Sequence, residues 1–343
     1  MPDLQRLWTR TGVVTWLLAP LALVFALAAW LRRLAWRRGW REAVAVGVPV
    51  VVVGNITAGG SGKTPLAIWL VEHVRARGWC PGVVSRGYGG RAVGCVEVTP
   101  ESDPAVTGDE PLLIRIKTGV PVVVGRDRVA AARTLLERHP GVDLVVSDDG
   151  LQHYRLRRDL ELAVVDAAVG LGNRWPLPAG PLREPPRRLR EVDAVVQVMR
   201  GTAVPRNDLA PKTWRVDYRV SRAWRLQAPQ DKVALGELPS RAWLAATGIG
   251  RPQGFFDMLA AHGLAFSPRA FPDHHAFRAD ELPADGAVLM TEKDAVKCLP
   301  FAGADWWAVE LDVAPEDGFI HWLDTRLPIT TTRTGAHAEG EGT

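Results

Sequence analysis

The chain of 343 residues is long enough for two domains with cores of their own, because single cores rarely grow past about 250 to 300 residues. Its net charge of +4 is local: Arg6, Arg10, Arg32, Arg33, Arg37, Arg38 and Arg41 meet only Asp3 and Glu42 before residue 43, and the rest is close to neutral. A nucleic-acid binder spreads Lys and Arg over a folded face, so no nucleic-acid partner is expected; Cys80, Cys95 and Cys298 lack disulfide or metal-ligand spacing, which fits a reducing compartment.

No charged residue occurs from Gly12 to Leu31, and the apolar run approaches the roughly 20 residues that span a bilayer. Arginines follow at once, interleaved with Trp30, Trp36 and Trp40. Such rings settle at the headgroup level and such arginines attract anionic lipids, which places this end on the cytoplasmic side. The segment therefore reads as a membrane helix, with Pro20 leaving spanning and shallow insertion both open. A cleaved signal, suggested by Ala26-Leu27-Ala28, would export the nucleotide loop that comes next to where there is no ATP. A buried core helix is at odds with apolarity on all sides.

Val50-Val51-Val52-Val53-Gly54 reads as a buried strand running into Asn55-Ile56-Thr57-Ala58-Gly59-Gly60-Ser61-Gly62-Lys63-Thr64. In a phosphate loop successive backbone N–H groups wrap the phosphates, the lysine adds a point charge and the Thr hydroxyl reaches Mg²⁺. Residues Thr57 to Thr64 are accordingly the candidate nucleotide site, with ATP or GTP the ligand and Mg²⁺ its companion. The usual pattern wants glycine where Thr57 stands; Gly54, Gly59 and Gly60 supply the backbone freedom instead.

Further along, helical spacing predicts helices over 65–77, 110–117 and 127–138. Apolar runs predict strands at 81–85, 122–124, 144–146, 162–165 and 194–198. Continuous apolar strands separated by helices imply a parallel sheet covered on both faces. Residues 170–190 form a Pro/Gly/Arg-rich loop too long to lack a purpose. A second unit follows, with strands at 243–247, 265–270, 287–290 and 307–311 and a helix ending near 262. The expected division is a hydrophobic and basic membrane segment (1–42), a P-loop nucleotide-binding core (43–201), a linker with short strands (202–240), a second α/β domain (241–329) and a disordered tail (330–343). The fold class is α/β: a P-loop NTPase-type parallel sheet, a second smaller α/β domain and an N-terminal membrane helix.

Several polar residues fall where ligands bind, at strand ends of such a sheet. Asp148 and Asp149 close the 144–146 strand, where a carboxylate beside the phosphate loop holds or orients Mg²⁺. Successive side chains point opposite ways, so the two should differ in role, and spacing leaves open which contacts metal directly. Asp109, in Gly108-Asp109-Glu110-Pro111, taken alone is a natural helix N-cap. His274, in Asp273-His274-His275, is either a turn residue or part of a proton relay; nothing local pairs it with Asp109. Arg86 and Arg183 sit in loops where their donors suit a phosphate or an anionic headgroup.

Together these segments resemble the tetraacyldisaccharide 4'-kinase family, the lipid A 4'-kinases of Gram-negative bacteria. The likeness runs through Leu18-Ala19-Pro20-Leu21, the Gly54 to Pro65 loop, Ser85-Arg86-Gly87-Tyr88-Gly89, Gly108-Asp109-Glu110-Pro111, Asp148-Asp149-Gly150-Leu151-Gln152-His153, Pro178-Ala179-Gly180-Pro181-Leu182-Arg183-Glu184, Gly248-Ile249-Gly250, Asp273-His274-His275 and Thr291-Glu292-Lys293-Asp294. Thr57 is what that family's loop looks like, whereas Arg251 stands where it more often has Asn. The resemblance implies transfer of the γ-phosphoryl of ATP to the 4'-hydroxyl of a tetraacylated glucosamine disaccharide 1-phosphate at the cytoplasmic face of the inner membrane. It further implies Asp109 as proton acceptor with His274 as its partner, Lys63 on the phosphates, and Glu110, Asp149 and Thr64 at Mg²⁺. Arg86, Tyr88 and Arg183 are then candidates for the substrate headgroup. The lipid substrate in the bilayer and a surface of anionic lipids are the expected partners, and no obligate protein partner is evident.

The rival is a membrane-associated P-loop ATPase or GTPase with a regulatory or positioning role. The positioning type needs Lys just before the paired glycines, where this chain has Ala58. A guanine reader needs Asn-Lys-x-Asp, whereas Lys293 and Asp294 are adjacent.

Overall fold

The computed structural model describes residues 8–201 and 203–327, so the expected tail at 330–343 lies outside the described residues. Its centre is a run of valine-rich strands: β1 (Val50–Gly54), β2 (Pro81–Ser85), β4 (Val122–Gly125), β5 (Leu144–Asp148), β6 (Leu160–Asp166) and β7 (Ala194–Arg200). These pair in parallel in the order β7-β6-β1-β5-β2-β4, and β3 (Cys95–Val98) closes the edge antiparallel to β4. Alternation along β1 sends Val51 and Val53 to one face and Val50 and Val52 to the other. The first face packs on α2 (Lys63–Ala76) and α4 (Asp109–Thr118) through Leu66, Leu70, Leu112 and Ile114; the one-turn α3 (Pro104–Thr107) leads into α4. The second packs on α5 (Arg128–Arg138) through Val129, Ala132 and Leu135.

Residues 202–240, expected to hold only short strands, contain the 13-residue β8 (Thr213–Arg225) and β9 (Ala228–Ala234). Val216, Tyr218 and Val220 are buried while Arg215 and Arg219 are exposed, an alternation that the charged residues disguise as a polar connector. The first half of β8 pairs in parallel with β7, and residues from Val216 onward pair antiparallel with β13 (Trp306–Pro315). β8 therefore belongs to both halves. Beyond β13 the sheet continues through β12 (Val288–Thr291), β10 (Trp243–Thr247) and the edge strand β11 (Phe266–Ala270), all parallel. The expected parallel sheet is thus mixed, with antiparallel pairings at β3, at β9 and where β13 meets β8.

In the second half α6 (Pro252–Ala261) covers one face with Phe255, Phe256 and Leu259, and α7 (Glu292–Cys298) covers the other with Ala295 and Cys298. α8 (Asp317–Arg326) returns to the first core, placing Phe319 and Leu323 beside Val216 and Tyr218. The N-terminal segment is one helix, α1 (Val13–Arg37), continuous through Pro20. Ala19 and Ala22 are buried, while Trp16, Leu17, Leu21, Leu23, Val24 and Leu27 are exposed. It touches the rest at few points: Trp16 lies edge-on to Trp175 at 5.4 Å, Arg32 donates to Gln152 O at 3.0 Å, and Arg33 pairs with Glu191.

Where the halves meet, Lys117 at the end of α4 reaches Glu292 on α7 at 2.8 Å and Glu310 on β13 at 2.7 Å. Burial alone would lower the lysine's pKa, but the two carboxylates outweigh it and raise it. Replacing Lys117 by Met leaves two nearly buried carboxylates with too little positive charge, so Lys117→Met should lower the unfolding free energy by about 3 kcal/mol. Urea titration followed by tryptophan fluorescence measures this, and adding Glu292→Gln and Glu310→Gln should recover most of the loss.

Candidate functional site

The loop after β1 is held from several sides. Asn55 Nδ2 donates to Ser61 Oγ at 3.0 Å, tying its two ends. The long 170–190 segment finds its purpose here, since Ala58 N donates to Pro181 O at 2.7 Å and Arg183 N to Ile56 O at 2.8 Å. Gly54 admits no side chain, because a Cβ there would lie 2.6 Å from Cβ of Leu151. Gly62 caps α2 at φ +88, the left-handed region that favours glycine. Lys63 and Thr64 therefore open α2, and the Lys63 ammonium lies 3.5 Å from Asp149.

Asp148 and Asp149 divide as their geometry dictates. Asp148 ends β5 opposite Val53, is fully buried, and neither of its carboxylate oxygens has a hydrogen-bond partner among the described residues. Burial first, then Glu110 and Asp149, pushes its pKa up to about 7. Asp149 turns away on a left-handed backbone, φ 49, toward Lys63 and Arg183, each at 3.5 Å. Burial raises its pKa, but Lys63, Arg183 and Arg128 outweigh that and hold it below the ordinary range. Arg128, not singled out by sequence, lies buried beneath the pair, donating to Gly125 O at 2.6 Å; burial above all lowers it to about 10. Nearby His153 is pushed down to about 4 by burial, Arg128 and Arg86, and is neutral at pH 7. Among the described residues no three His, Cys, Asp or Glu side chains close around a point as a complete metal site. Mg²⁺ needs no such cage, since one or two carboxylates with substrate phosphates suffice. An unpartnered buried carboxylate at this strand tip fits that need.

Asp109 is not the helix cap expected of it: Gly108 is, at φ 89, and Asp109 is the first helical residue, nearly buried. Its carboxylate is engaged by a distant partner. Nδ1 of His274, from the loop after β11, lies 3.0 and 3.2 Å from the two Asp109 carboxylate oxygens. Lys293 and Lys297, one turn apart on α7, each approach Asp109 to 3.9 Å; Lys293 also reaches Glu110 at 3.0 Å and His274 Nε2 at 3.4 Å. Burial raises the Asp109 pKa, yet His274 and the lysines together hold it below the ordinary value. Burial lowers His274, and its hydrogen bond with Asp109 prevails, leaving it raised. The two lysines were missed, although their i,i+4 spacing was a signal.

Tyr88 lies beside the pair, its ring 5.1 Å from that of His274. With Arg86, Gly87, Gly89 and Arg126 it lines a pocket of about 220 Å³. Arg183 does not join them; it pairs with Asp149 beside the phosphate loop. The site thus combines a glycine-rich loop opening a helix with a lysine, an orphan carboxylate, and an anionic Asp paired with His from the other half of the sheet.

Comparison with known proteins agrees in one direction. The family model described as Tetraacyldisaccharide-1-P 4'-kinase matches residues 14–328. A Tetraacyldisaccharide 4'-kinase of Thiobacillus denitrificans is 68% identical over 327 residues, covering 95% of this chain and 99% of its own. One from Azoarcus sp. is 53% identical over 322 residues, 93% of each. Among solved structures, LpxK from Aquifex aeolicus in complex with ATP superposes with a TM-score of 0.80 at 25% identity, over 92% of this chain and 98% of that one.

The pairing of Asp109 with His274 has a pH signature. A raised His274 pKa means that the pair's stabilisation is fully present below 6.5, the ordinary value, and is lost as pH rises through the raised midpoint. The depressed Asp109 pKa means that its contribution is present above 3.8 and is lost as pH falls through the lower midpoint. An NMR titration should place the His274 midpoint above 6.5 in the wild type and find it lower in Asp109→Asn; an unmoved midpoint contradicts the pairing.

Proposed function

The chain belongs to the tetraacyldisaccharide-1-P 4'-kinase family, and from that premise we propose how its residues share the work. The reaction is transfer of the γ-phosphoryl of ATP to the 4'-hydroxyl of a tetraacylated glucosamine disaccharide 1-phosphate in lipid A biosynthesis. Residues Thr57 to Thr64 cradle the phosphates, and Lys63 neutralises charge there. Asp109 accepts or orients the proton of the attacking hydroxyl, and its partner His274 fixes the carboxylate's direction. The observation that carries this reading is their 3.0 Å contact between a helix of the first half and a loop of the second. Asp109 is anionic at neutral pH, as an acceptor must be, and in a loose phosphoryl-transfer transition state positioning counts for more than base strength. With Asp109 and its partner on separate halves, a fully formed site requires both, which limits wasteful hydrolysis.

Asp148 is the residue we assign to direct contact with Mg²⁺, with Thr64 and Glu110 beside it; a cation is what its unpartnered buried oxygens call for. Asp149, engaged by Lys63 and Arg183, instead holds the phosphate loop. When bound, Mg²⁺ supplies neutralisation of charge on the phosphate oxygens. Tyr88, next to His274, and Arg86, which lines the same pocket, are assigned to the sugar headgroup, and Arg183 to phosphate near the loop. Helix α1, apolar and exposed along most of its length, inserts into the cytoplasmic face of the inner membrane, where its trailing arginines meet anionic lipids.

Purified protein, labelled ATP and the disaccharide lipid test the chemistry. Lys63→Ala, Asp109→Ala and His274→Ala should each lower transfer about 100-fold or more, with nucleotide binding retained in Asp109→Ala; full activity in that variant removes Asp109 from the mechanism. Sedimentation with vesicles containing anionic lipid tests the anchor. Removing residues 1–31 should shift the protein to the supernatant, and an unchanged bound fraction counts against α1.

A further inference from the structure

The carbonyls of the phosphate loop are held by groups outside it. Asn55 O accepts from Gln152 Nε2 at 2.8 Å and Ile56 O from Arg183 N at 2.8 Å. Gly60 O accepts from Arg251 Nη2, and Gly62 O from the Tyr218 hydroxyl at 2.6 Å. The last two matter most, because they belong to the stretch where phosphate would sit. In a planar trans peptide the C=O and the following N–H point to opposite sides of the chain. Drawing the Gly60 carbonyl toward Arg251 therefore turns the Ser61 N–H the other way. Tyr218 does the same for the Lys63 N–H through Gly62.

Both holding groups are themselves fixed. Tyr218 is buried in the middle of β8, with the Arg200 guanidinium 5.1 Å above its ring. Asp166, at the tip of β6, pairs with Arg200 and lies 3.3 Å from Arg251. Tyr218 and Arg200 press close on Gly62, where a Cβ would lie 2.8 Å from the Tyr218 ring and 2.7 Å from an Arg200 nitrogen. We propose that Tyr218 and Arg251 are positioning residues of the phosphate loop, holding the Gly62 and Gly60 carbonyls outward so that the Lys63 and Ser61 N–H groups already face the phosphates before nucleotide arrives. This rests on the reading of residues 57–64 as the ATP cradle and assigns a binding duty to two residues outside that motif. Such preorganisation lowers the cost of binding and touches no reacting atom.

The test uses the full chain with two ligands: ATP, and inorganic tripolyphosphate, which offers phosphates without adenosine. Tyr218→Phe removes a single hydroxyl and keeps the ring; Arg251→Met removes the guanidinium, and Arg251→Lys returns a donor. Each of the first two should weaken both ligands by about fivefold, the worth of one hydrogen bond, raising KM for ATP by a larger factor than kcat falls. Arg251→Lys should recover most of the affinity. Wild-type affinity for both ligands in Tyr218→Phe and Arg251→Met overturns the proposal, as does a lower melting temperature with affinity intact, which marks a purely structural role. Failure of the wild type to bind either ligand is a different result: it overturns the ATP reading, and this inference with it.

Discussion

Strand β8 is hydrogen-bonded along both edges, to β7 in parallel and to β13 antiparallel, and the site depends on that double engagement. The phosphate loop and Asp109 belong to the sheet on one side of it, whereas His274, Lys293 and Lys297 belong to the sheet on the other. A flexible tether between two separate sheets would leave their encounter to diffusion. A shared strand instead brings Nδ1 of His274 within 3.0 Å of a carboxylate 165 positions earlier. The Lys117 contacts with Glu292 and Glu310 brace the same junction from the helix layer.

Three aspartates near the loop illustrate how environment assigns roles to one side chain. Asp109 is buried but surrounded by His274, Lys293 and Lys297, so it stays charged. Asp149 is half-buried, and stays charged because Lys63 and Arg183 compensate it. Asp148 has burial and negative neighbours without a hydrogen-bond partner, so its proton is held to about pH 7. The acceptor, strut and cation-ligand roles proposed above accord with those surroundings in turn.

The strand, loop and helix around Lys63 were legible because every local signal agreed: four valines, glycines at the turn, and apolar spacing afterwards. The parallel strands were legible for the same reason. β8 was not, since Arg215, Asp217 and Arg219 on its outer face alternate with its buried residues and break the apolar run, and its second partner, β13, lies about 90 residues on. Asp109 shows the limit most clearly. Its local rule was a helix cap, whereas Gly108 takes that place and the Asp109 carboxylate faces a histidine brought over by the fold, which no local pattern could announce. Tyr218 carried no signal and Arg251 only a departure from the family's usual Asn, because the contacts they make are to backbone carbonyls, which every sequence possesses.

Helix α1 rests, through Trp16 and Trp175, on the same 170–190 segment whose Pro181 and Arg183 clasp the phosphate loop. With α1 seated in the bilayer as proposed, one piece of scaffold fixes the altitude of the reacting phosphorus over the leaflet. Pulling a single acyl tail of a dozen methylenes into water costs roughly 10 kcal/mol, more than a working enzyme can spare on each turnover. On that reading a catalyst ridden at constant height avoids the cost, because its acceptor can slide in sideways with its tails still dissolved in lipid and depart the same way.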